Sequence, residues 1–188
     1  MRLFVAMDLN DSVRNAISRF CGRLRPLCPA AKWARVEGMH VTLKFLGEIK
    51  EPLLAKISEA LADVRSSAPI EMNFRGTGFF PSPKRPRVLW IGIAASPNLA
   101  EIAADIESRL DTLGIPRETR EFKPHLTLAR FESPRGLDAL LRELESESAT
   151  DFASVRSSEF HLYQSQLQRG GSLYTRLQSF AFTTGAAA

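Results

Sequence analysis

Some segments of the chain have hydrophobic residues at the spacing typical of β-strands, and others have them at the spacing typical of amphipathic helices. Residues 3–9 form a short apolar run, and Asn10, Asp11 and Ser12 follow it as good helix N-cap residues. The apolar residues between positions 13 and 24 then recur at helical spacing. The chain therefore opens with a predicted strand followed by a predicted helix.

The same patterns predict further strands and helices along the rest of the chain. The predicted strands are HVTLKFL from His40, residues 70–80, residues 88–93, HLTLARF from His125, residues 152–164 and residues 172–182, with a weaker extended segment around Trp33 and Val36. The predicted helices cover residues 51–64, 98–113 and 137–144. The loop PSPKRPR joins two of the strands into a hairpin, and Gly170 and Gly171 form the turn of another.

The mixed order of these elements favours an α+β fold with mainly antiparallel sheets over a doubly wound fold. The length of 188 residues, of which 44% are hydrophobic, suits a single globular unit. Because a tetrapeptide pattern occurs in each half, we expect one bilobal unit of two similar lobes. It spans residues 1–182, and we expect residues 183–188 to form a disordered tail.

Charge and cysteine content narrow the functional classes. A net charge of +4 and a pI near 9.4 give a modest bias towards an anionic partner such as nucleic acid. Two cysteines are too few for a disulfide framework, and no Cys/His group has zinc-ligand spacing. The N-terminal apolar run is too short for a signal peptide or a membrane span. We therefore expect a soluble cytoplasmic protein without a structural metal.

Two of the three histidines stand in the same pattern, His40-Val-Thr-Leu and His125-Leu-Thr-Leu. In a strand, alternate side chains share a face, so each histidine lies beside its threonine, Thr42 or Thr127. If the motifs face each other, two imidazoles and two hydroxyls surround a volume that suits a phosphate. One histidine could take a proton from water while the other gives one to a leaving oxygen, without a metal.

Other interpretations remain open at this level. Either histidine alone could be structural, and two histidines could bind a metal, although no carboxylate or cysteine ligand accompanies them. Regular alternation would put Arg130 on the face opposite Thr127, where a bend could reverse it, whereas Lys123 would share the face of His125. The same alternation assigns Phe45 to the core. His161 lacks the threonine and is interpreted as structural or exposed.

The cations of the predicted hairpin loop are a separate candidate. Lys84, Arg85 and Arg87 could guide an RNA backbone, because clustered cations attract phosphates without reading sequence. A solvated hairpin tip is an equally good interpretation of the same residues.

The paired motifs and their surroundings resemble the 2H phosphoesterase superfamily. Within it, the chain is similar to the bacterial and archaeal RNA 2′,3′-cyclic phosphodiesterases once called 2′-5′ RNA ligases. The resemblance rests on RLFVAMDL, KWARVEGMHVTLKFLGEI, FKPHLTLAR and LYQSQLQRGGSLYTRL, which follow that family in order and spacing over nearly the whole chain.

The resemblance implies a bilobal α+β fold of two pseudo-symmetric lobes, each of which contributes a sheet and one motif to a central cleft. It also implies hydrolysis of terminal 2′,3′-cyclic phosphates to 2′-phosphomonoesters without a cofactor. It makes His40 the proton donor and His125 the proton acceptor, with Thr42 and Thr127 binding the phosphate. The expected partner is RNA with a cyclic phosphate end, or a small cyclic nucleotide, bound by a monomer. Two alternatives are a module that binds nucleotides or RNA ends without turnover, and reversible 2′-5′ ligation of RNA.

Overall fold

In the computed structural model, which describes residues 1–133, 135–146, 150–168 and 171–182, the chain forms nine strands and four α-helices. The strands are β1 (Arg2–Met7), β2 (Lys32–Trp33), β3 (Val41–Glu48), β4 (Ile70–Ser82), β5 (Arg85–Ala95), β6 (His125–Arg130), β7 (Asp151–Ser157), β8 (Glu159–Gln168) and β9 (Gly171–Ala181). The helices are α1 (Asp11–Leu24), α2 (Leu54–Ala62), α3 (Asn98–Asp111) and α4 (Asp138–Ser146). The predicted tail 183–188 and the turn residue Gly170 lie outside the described residues.

The first helix begins where the sequence predicts. The side chain of Asn10 accepts a hydrogen bond from the backbone N–H of Val13 at 2.9 Å, which satisfies one of the free donors of the first turn. Val13, Ile17 and Leu24 are fully buried on one face of α1. Local sequence signals therefore determine both the start of this helix and the face that it buries.

The strands form two antiparallel sheets. The four-stranded sheet has the order β3-β1-β8-β9, and the five-stranded sheet has the order β2-β6-β5-β4-β7. Each recorded pairing of neighbouring strands is antiparallel. The predicted α+β fold with two pseudo-symmetric lobes is confirmed.

One predicted strand was wrong, because residues 152–164 form two strands that belong to different sheets. β7 pairs with β4 in the five-stranded sheet, whereas β8 pairs with β1 in the four-stranded sheet. The chain changes sheets at Ser158, where the hydroxyl of Ser157 donates to the carbonyl of Glu159 at 2.8 Å. A periodic pattern shows that a segment is extended but contains no information about its partner strand.

The helices connect the two sheets. α1 follows β1 of the four-stranded sheet but packs against β7 of the five-stranded sheet. α3 follows β5 of the five-stranded sheet but packs against β3 of the four-stranded sheet. One buried hydrophobic cluster consequently includes side chains from both sheets and from the helices. Each sheet buries one face in this cluster and leaves the other face for different contacts.

Within the described parts of the chain, no helix combines the length and the apolar character needed to cross a membrane.

Candidate functional site

The two histidine motifs lie on strands that occupy equivalent places. β3 is the edge strand of the four-stranded sheet and pairs with β1. β6 pairs with β5, and only the two-residue strand β2 lies outside it. β3 and β6 also contact each other. The motifs are therefore carried by adjoining margins of the two sheets.

Both motif histidines are held by the same backbone contact. The Nδ1 atom of His40 lies 2.9 Å from the carbonyl oxygen of Gly38, and the Nδ1 atom of His125 lies 2.7 Å from that of Lys123. A carbonyl oxygen only accepts hydrogen bonds, so Nδ1 is the protonated nitrogen in both rings. Each neutral imidazole therefore has its lone pair on Nε2, which is the nitrogen available for proton transfer.

Each motif strand contains a β-bulge directly after its threonine. Across β1 and β3, Ala6 pairs with Thr42 and the next partners are Val5 and Lys44, so Leu43 is the extra residue. The same irregularity occurs between β5 and β6, with Leu128 as the extra residue. In both strands the two positions after the threonine are buried, and the third is exposed. The bulge thus returns the third residue to the face of the motif histidine, hereafter the motif face.

The bulge in β3 overturns the core assignment of Phe45. Its side chain is 63% exposed and lies on the motif face, with its ring 6.0 Å from that of Phe4. The prediction failed because it assumed regular alternation along the strand, and one extra residue reverses every position after it.

The bulge in β6 has the same effect on Arg130, which was expected opposite Thr127 in a regular strand. Arg130 is exposed and pairs across the sheet with Val88, on the motif face. Lys123, by contrast, precedes β6, and its Nζ atom forms an ion pair with Glu121 at 3.2 Å. Lys123 therefore offers its carbonyl oxygen to His125, while its ammonium group is already paired.

Aromatic side chains contact both imidazoles. The ring of Phe4 stacks on His40 with the centroids 4.4 Å apart, and Tyr174 meets His40 nearly perpendicularly at 5.0 Å. In the five-stranded sheet, Phe80 meets His125 in the same perpendicular way at 4.9 Å. These contacts restrict the orientation of both rings, and the sequence motifs alone did not identify the aromatic residues that make them.

Electrostatic effects on His40 oppose one another. Burial lowers the pKa of His40, because the charged imidazolium loses hydration. The hydrogen bond to Gly38 and the negative charge of Asp8 raise this pKa, while the positive charge of Arg14 lowers it. Asp8 itself was not singled out by the sequence, although an acidic residue directly after a buried strand is a signal that could have identified it.

A buried lysine on β3 links this strand to helix α3 and to the chain segment that precedes β6. Lys44 is 3% exposed, and its Nζ atom donates to Glu107 at 2.5 Å and to the carbonyl of Pro116 at 2.9 Å. Glu107 lies on α3, and Pro116 lies in the segment that leads to His125. Because an unpaired buried charge is costly, this arrangement holds β3 in one position relative to α3.

The other residues that the sequence offered as candidates for function lie away from the two motifs or form contacts that stabilise the fold. His161 is 2% exposed, and its Nδ1 atom lies 2.9 Å from the hydroxyl of Ser179, so the structural interpretation fits and the exposed one is excluded. Lys84 and Arg85 are exposed at the tip of the β4–β5 hairpin, and Arg87 donates to the carbonyl of Glu132 at 2.6 Å. In the described ranges, no three His, Cys, Asp or Glu side chains gather in a way that could hold a metal ion.

Comparisons with known proteins agree with this twofold arrangement. A family model described as LigT like phosphoesterase matches residues 7–90 and again residues 91–174, so that each match contains one motif. The chain is 37% identical to the RNA 2′,3′-cyclic phosphodiesterase of Archaeoglobus fulgidus, over 96% of this chain and 99% of that protein.

Two solved structures resemble the whole chain. TT0787 of Thermus thermophilus superposes with a TM-score of 0.81 at 30% identity, covering 100% of both chains. E. coli LigT complexed with 3′-AMP superposes with a TM-score of 0.77 at 28% identity, covering 97% of this chain and 98% of that one.

Proposed function

Because the chain belongs to the LigT like phosphoesterase family, we propose that it is a metal-independent RNA 2′,3′-cyclic phosphodiesterase in which His40 and His125 transfer the protons. The names of its relatives agree with the enzyme class that the sequence motifs predict. The expected product is a 2′-phosphomonoester with a free 3′-hydroxyl.

The observation that carries this proposal is the matching orientation of the two imidazoles. Both Nδ1 atoms are engaged by a carbonyl oxygen two residues earlier in the chain, which leaves both Nε2 atoms for chemistry. One reactive nitrogen from each sheet supplies the acid and the base that cleavage of a phosphodiester requires. A single histidine cannot perform both roles in one step.

The reaction follows from these two nitrogens. Nε2 of His125 accepts a proton from water, whose oxygen attacks phosphorus in line with the 3′ oxygen. The P–O3′ bond breaks, and protonated Nε2 of His40 gives its proton to the departing 3′ oxygen. After release of the product, His125 loses its proton to solvent and His40 regains one, which restores both catalysts.

The threonines and Arg130 complete the proposed phosphate site. The hydroxyls of Thr42 and Thr127 donate to the non-bridging oxygens and stabilise the charge that develops on them, and the guanidinium of Arg130 donates a charge-assisted hydrogen bond to the phosphate of the bound substrate. The complex of E. coli LigT with 3′-AMP supports a ligand that combines a ribose with a phosphate. We therefore assign RNA ends or small cyclic nucleotides as substrates, bound in a cleft between the motif faces.

The first test is the hydrolysis of a short RNA that ends in a 2′,3′-cyclic phosphate, in excess EDTA. We expect a 2′-phosphate product and a loss of kcat of about 100- to 10,000-fold in His40→Ala and in His125→Ala, because each removes one proton-transfer group. Lys56→Ala, at an exposed position of α2, is the control and should retain normal activity.

The same assay separates the alternatives. Binding of the RNA without any product would favour the non-catalytic module, and a 2′-5′ linked product at high concentrations of RNA ends would favour ligation. Full activity in both histidine variants would contradict the mechanism, and loss of activity in EDTA would contradict metal independence.

A further inference from the structure

His125 belongs to a row of paired residues that crosses the five-stranded sheet. It pairs with Gly92 on β5, and Gly92 pairs in turn with Arg75 on β4. Residues that are paired directly point to the same face of a sheet, so Arg75 lies on the motif face. Neighbouring strands are about 5 Å apart, which separates the backbones of His125 and Arg75 by about 10 Å. An arginine thus shares the surface that carries the second motif.

The glycine between these two residues leaves the row open. A Cβ atom at Gly92 would lie 2.9 Å from the backbone carbonyl oxygen of Arg75, closer than real Cβ contacts allow. The carbonyl belongs to β4 and cannot rotate away as a side chain could. The packing of β4 against β5 therefore requires glycine at this position. As a consequence, no side chain stands between His125 and Arg75 in this row.

Aromatic rings border this gap on the side of Thr127. Trp90 pairs with Thr127, and its Cζ3 atom lies 3.5 Å from the position of a Cβ atom at Gly92. The ring of Phe80 lies 5.1 Å from that of Trp90 and 4.9 Å from that of His125. These apolar rings offer no charge to a phosphate. An anionic group that extends from His125 along the gap therefore meets its cationic partner at Arg75.

The guanidinium of Arg75 is held only weakly by its neighbour. Its Nε atom lies 3.6 Å from Oδ1 of Asp151, which is too long for a hydrogen bond. The two side chains are 59% and 79% exposed, and exposed ion pairs contribute little to stability. A guanidinium has five N–H donors in a planar fork that matches the oxygens of a phosphate. Arg75 is therefore able to bind a phosphate in place of Asp151.

We propose that Arg75 binds the phosphodiester on the 5′ side of the terminal nucleotide when an RNA end occupies the site. This rests on the proposed function and specifies its substrate class, an oligonucleotide with at least one internal phosphodiester. With the cyclic phosphate beside His125, the next phosphate lies one nucleotide away, and the long side chain of Arg75 spans the remaining distance. A mononucleoside cyclic phosphate lacks that group and gains nothing from Arg75.

Two other arginines on this face of the sheet are placed differently. Arg130 lies beyond Thr127, on the side away from the open row. Arg156 on β7 is three strands from β6, and it pairs with Glu71, to which it also forms an ion pair at 4.0 Å. Arg156 is thus too far from the second motif to reach the phosphate of the adjoining nucleotide, which makes it a suitable control.

The test compares three substrates with the same terminal nucleoside. They are adenosine 2′,3′-cyclic phosphate, the dinucleotide ApA with a 2′,3′-cyclic phosphate end, and the same dinucleotide with an uncharged methylphosphonate linkage. Arg75→Gln should raise KM for the charged dinucleotide about three- to tenfold, between the effects of an exposed ion pair and of a charge-assisted hydrogen bond. We expect no change in kcat, and no change in KM for the other two substrates.

Arg156→Gln is the matched control, because it removes the same charge from the same face of the sheet. It should leave KM unchanged for all three substrates. The proposal would be overturned by an unchanged KM for the charged dinucleotide in Arg75→Gln. It would also be overturned by an equal rise with charged and uncharged linkages, or by an equal rise in Arg75→Gln and Arg156→Gln.

A second variant covers the case in which Arg75→Gln disturbs the sheet. Asp151→Asn removes the carboxylate that competes for Arg75, so KM for the charged dinucleotide should fall about two- to threefold. A damaged site would not gain affinity in this way, and an unchanged or higher KM would count against the proposal. Failure of the proposed function is distinct, because the unaltered protein would then hydrolyse none of the three substrates.

Discussion

Phe45 and Arg130 occupy the same position in the two motifs, three residues after the threonine and just beyond the bulge. Both return to the motif face for the same geometric reason, yet one is a flat apolar ring and the other a cation. The chemical difference makes the two halves of the site unequal, although their backbones are similar. If the proposed function holds, we expect a substrate with an anionic end and an aromatic base to bind in one orientation and not in the reverse.

The role of Arg130 can be tested at the residue scale. Arg130→Gln should raise KM for a cyclic-phosphate RNA about tenfold, the loss of roughly 1.4 kcal/mol that one charge-assisted hydrogen bond contributes. Steady-state kinetics at constant ionic strength would measure it. Arg19→Gln, an exposed arginine of α1, removes the same charge as a control. An equal change in both variants would mean that net charge, and not the position of Arg130, sets KM.

At the scale of elements, a close contact between β4 and β5 supports the second motif. Trp90 pairs with Thr127 on one side and with Gly78 on the other, and its ring covers Gly78. A Cβ atom at Gly78 would overlap Cζ2 and Cη2 of Trp90. The glycine therefore allows the indole to lie flat across β4, next to the threonine of the motif.

Replacing this glycine should destabilise the five-stranded sheet. Gly78→Ala is expected to lower the free energy of unfolding by about 1–3 kcal/mol, because the added methyl group forces Trp90 out of its place. Gly22→Ala is the matched control, since nothing lies within 4 Å of the added atom and alanine favours the helix by roughly 0.5–1 kcal/mol. Urea unfolding would measure both changes. Equal effects in the two variants would exclude the contact with Trp90 as the cause.

At the scale of the whole molecule, burial in the folded protein lowers the pKa of two histidines. Burial is the main cause that lowers the pKa of His40 and of His161 below 6.5. The unfolded chain therefore binds more protons than the folded chain between these lowered values and 6.5. The free energy of unfolding then depends on pH over that range.

The sign of this dependence gives a prediction. Stability should be fully present above about pH 6.5 and should decrease as the pH falls through the lower folded-state pKa values. Urea unfolding at several values between pH 5 and 7.5 would measure the slope, and His161→Gln should make it shallower. A free energy of unfolding that does not change over this range, or that rises towards pH 5, would contradict the prediction.

Features that depend on neighbouring residues could be predicted from the sequence alone. The N-cap at Asn10, the buried stripe of α1, the antiparallel α+β class and the pairing of each motif histidine with its threonine all follow from short-range spacing. These features need only the periodicity of one helix or one strand. The residues proposed for proton transfer, His40 and His125, belong to this group.

Features that depend on register and on distant partners emerge only when the chain is folded. The bulges that place Phe45 and Arg130 arise from the match between two strands, and the change of sheet at Ser158 depends on which strand each segment meets. Ala6 lies opposite Thr42 because of the pairing of β1 with β3. Such contacts join residues that are far apart in the chain. They are selected by the free energy of packing in the folded protein, which cannot be inferred from a short stretch of sequence.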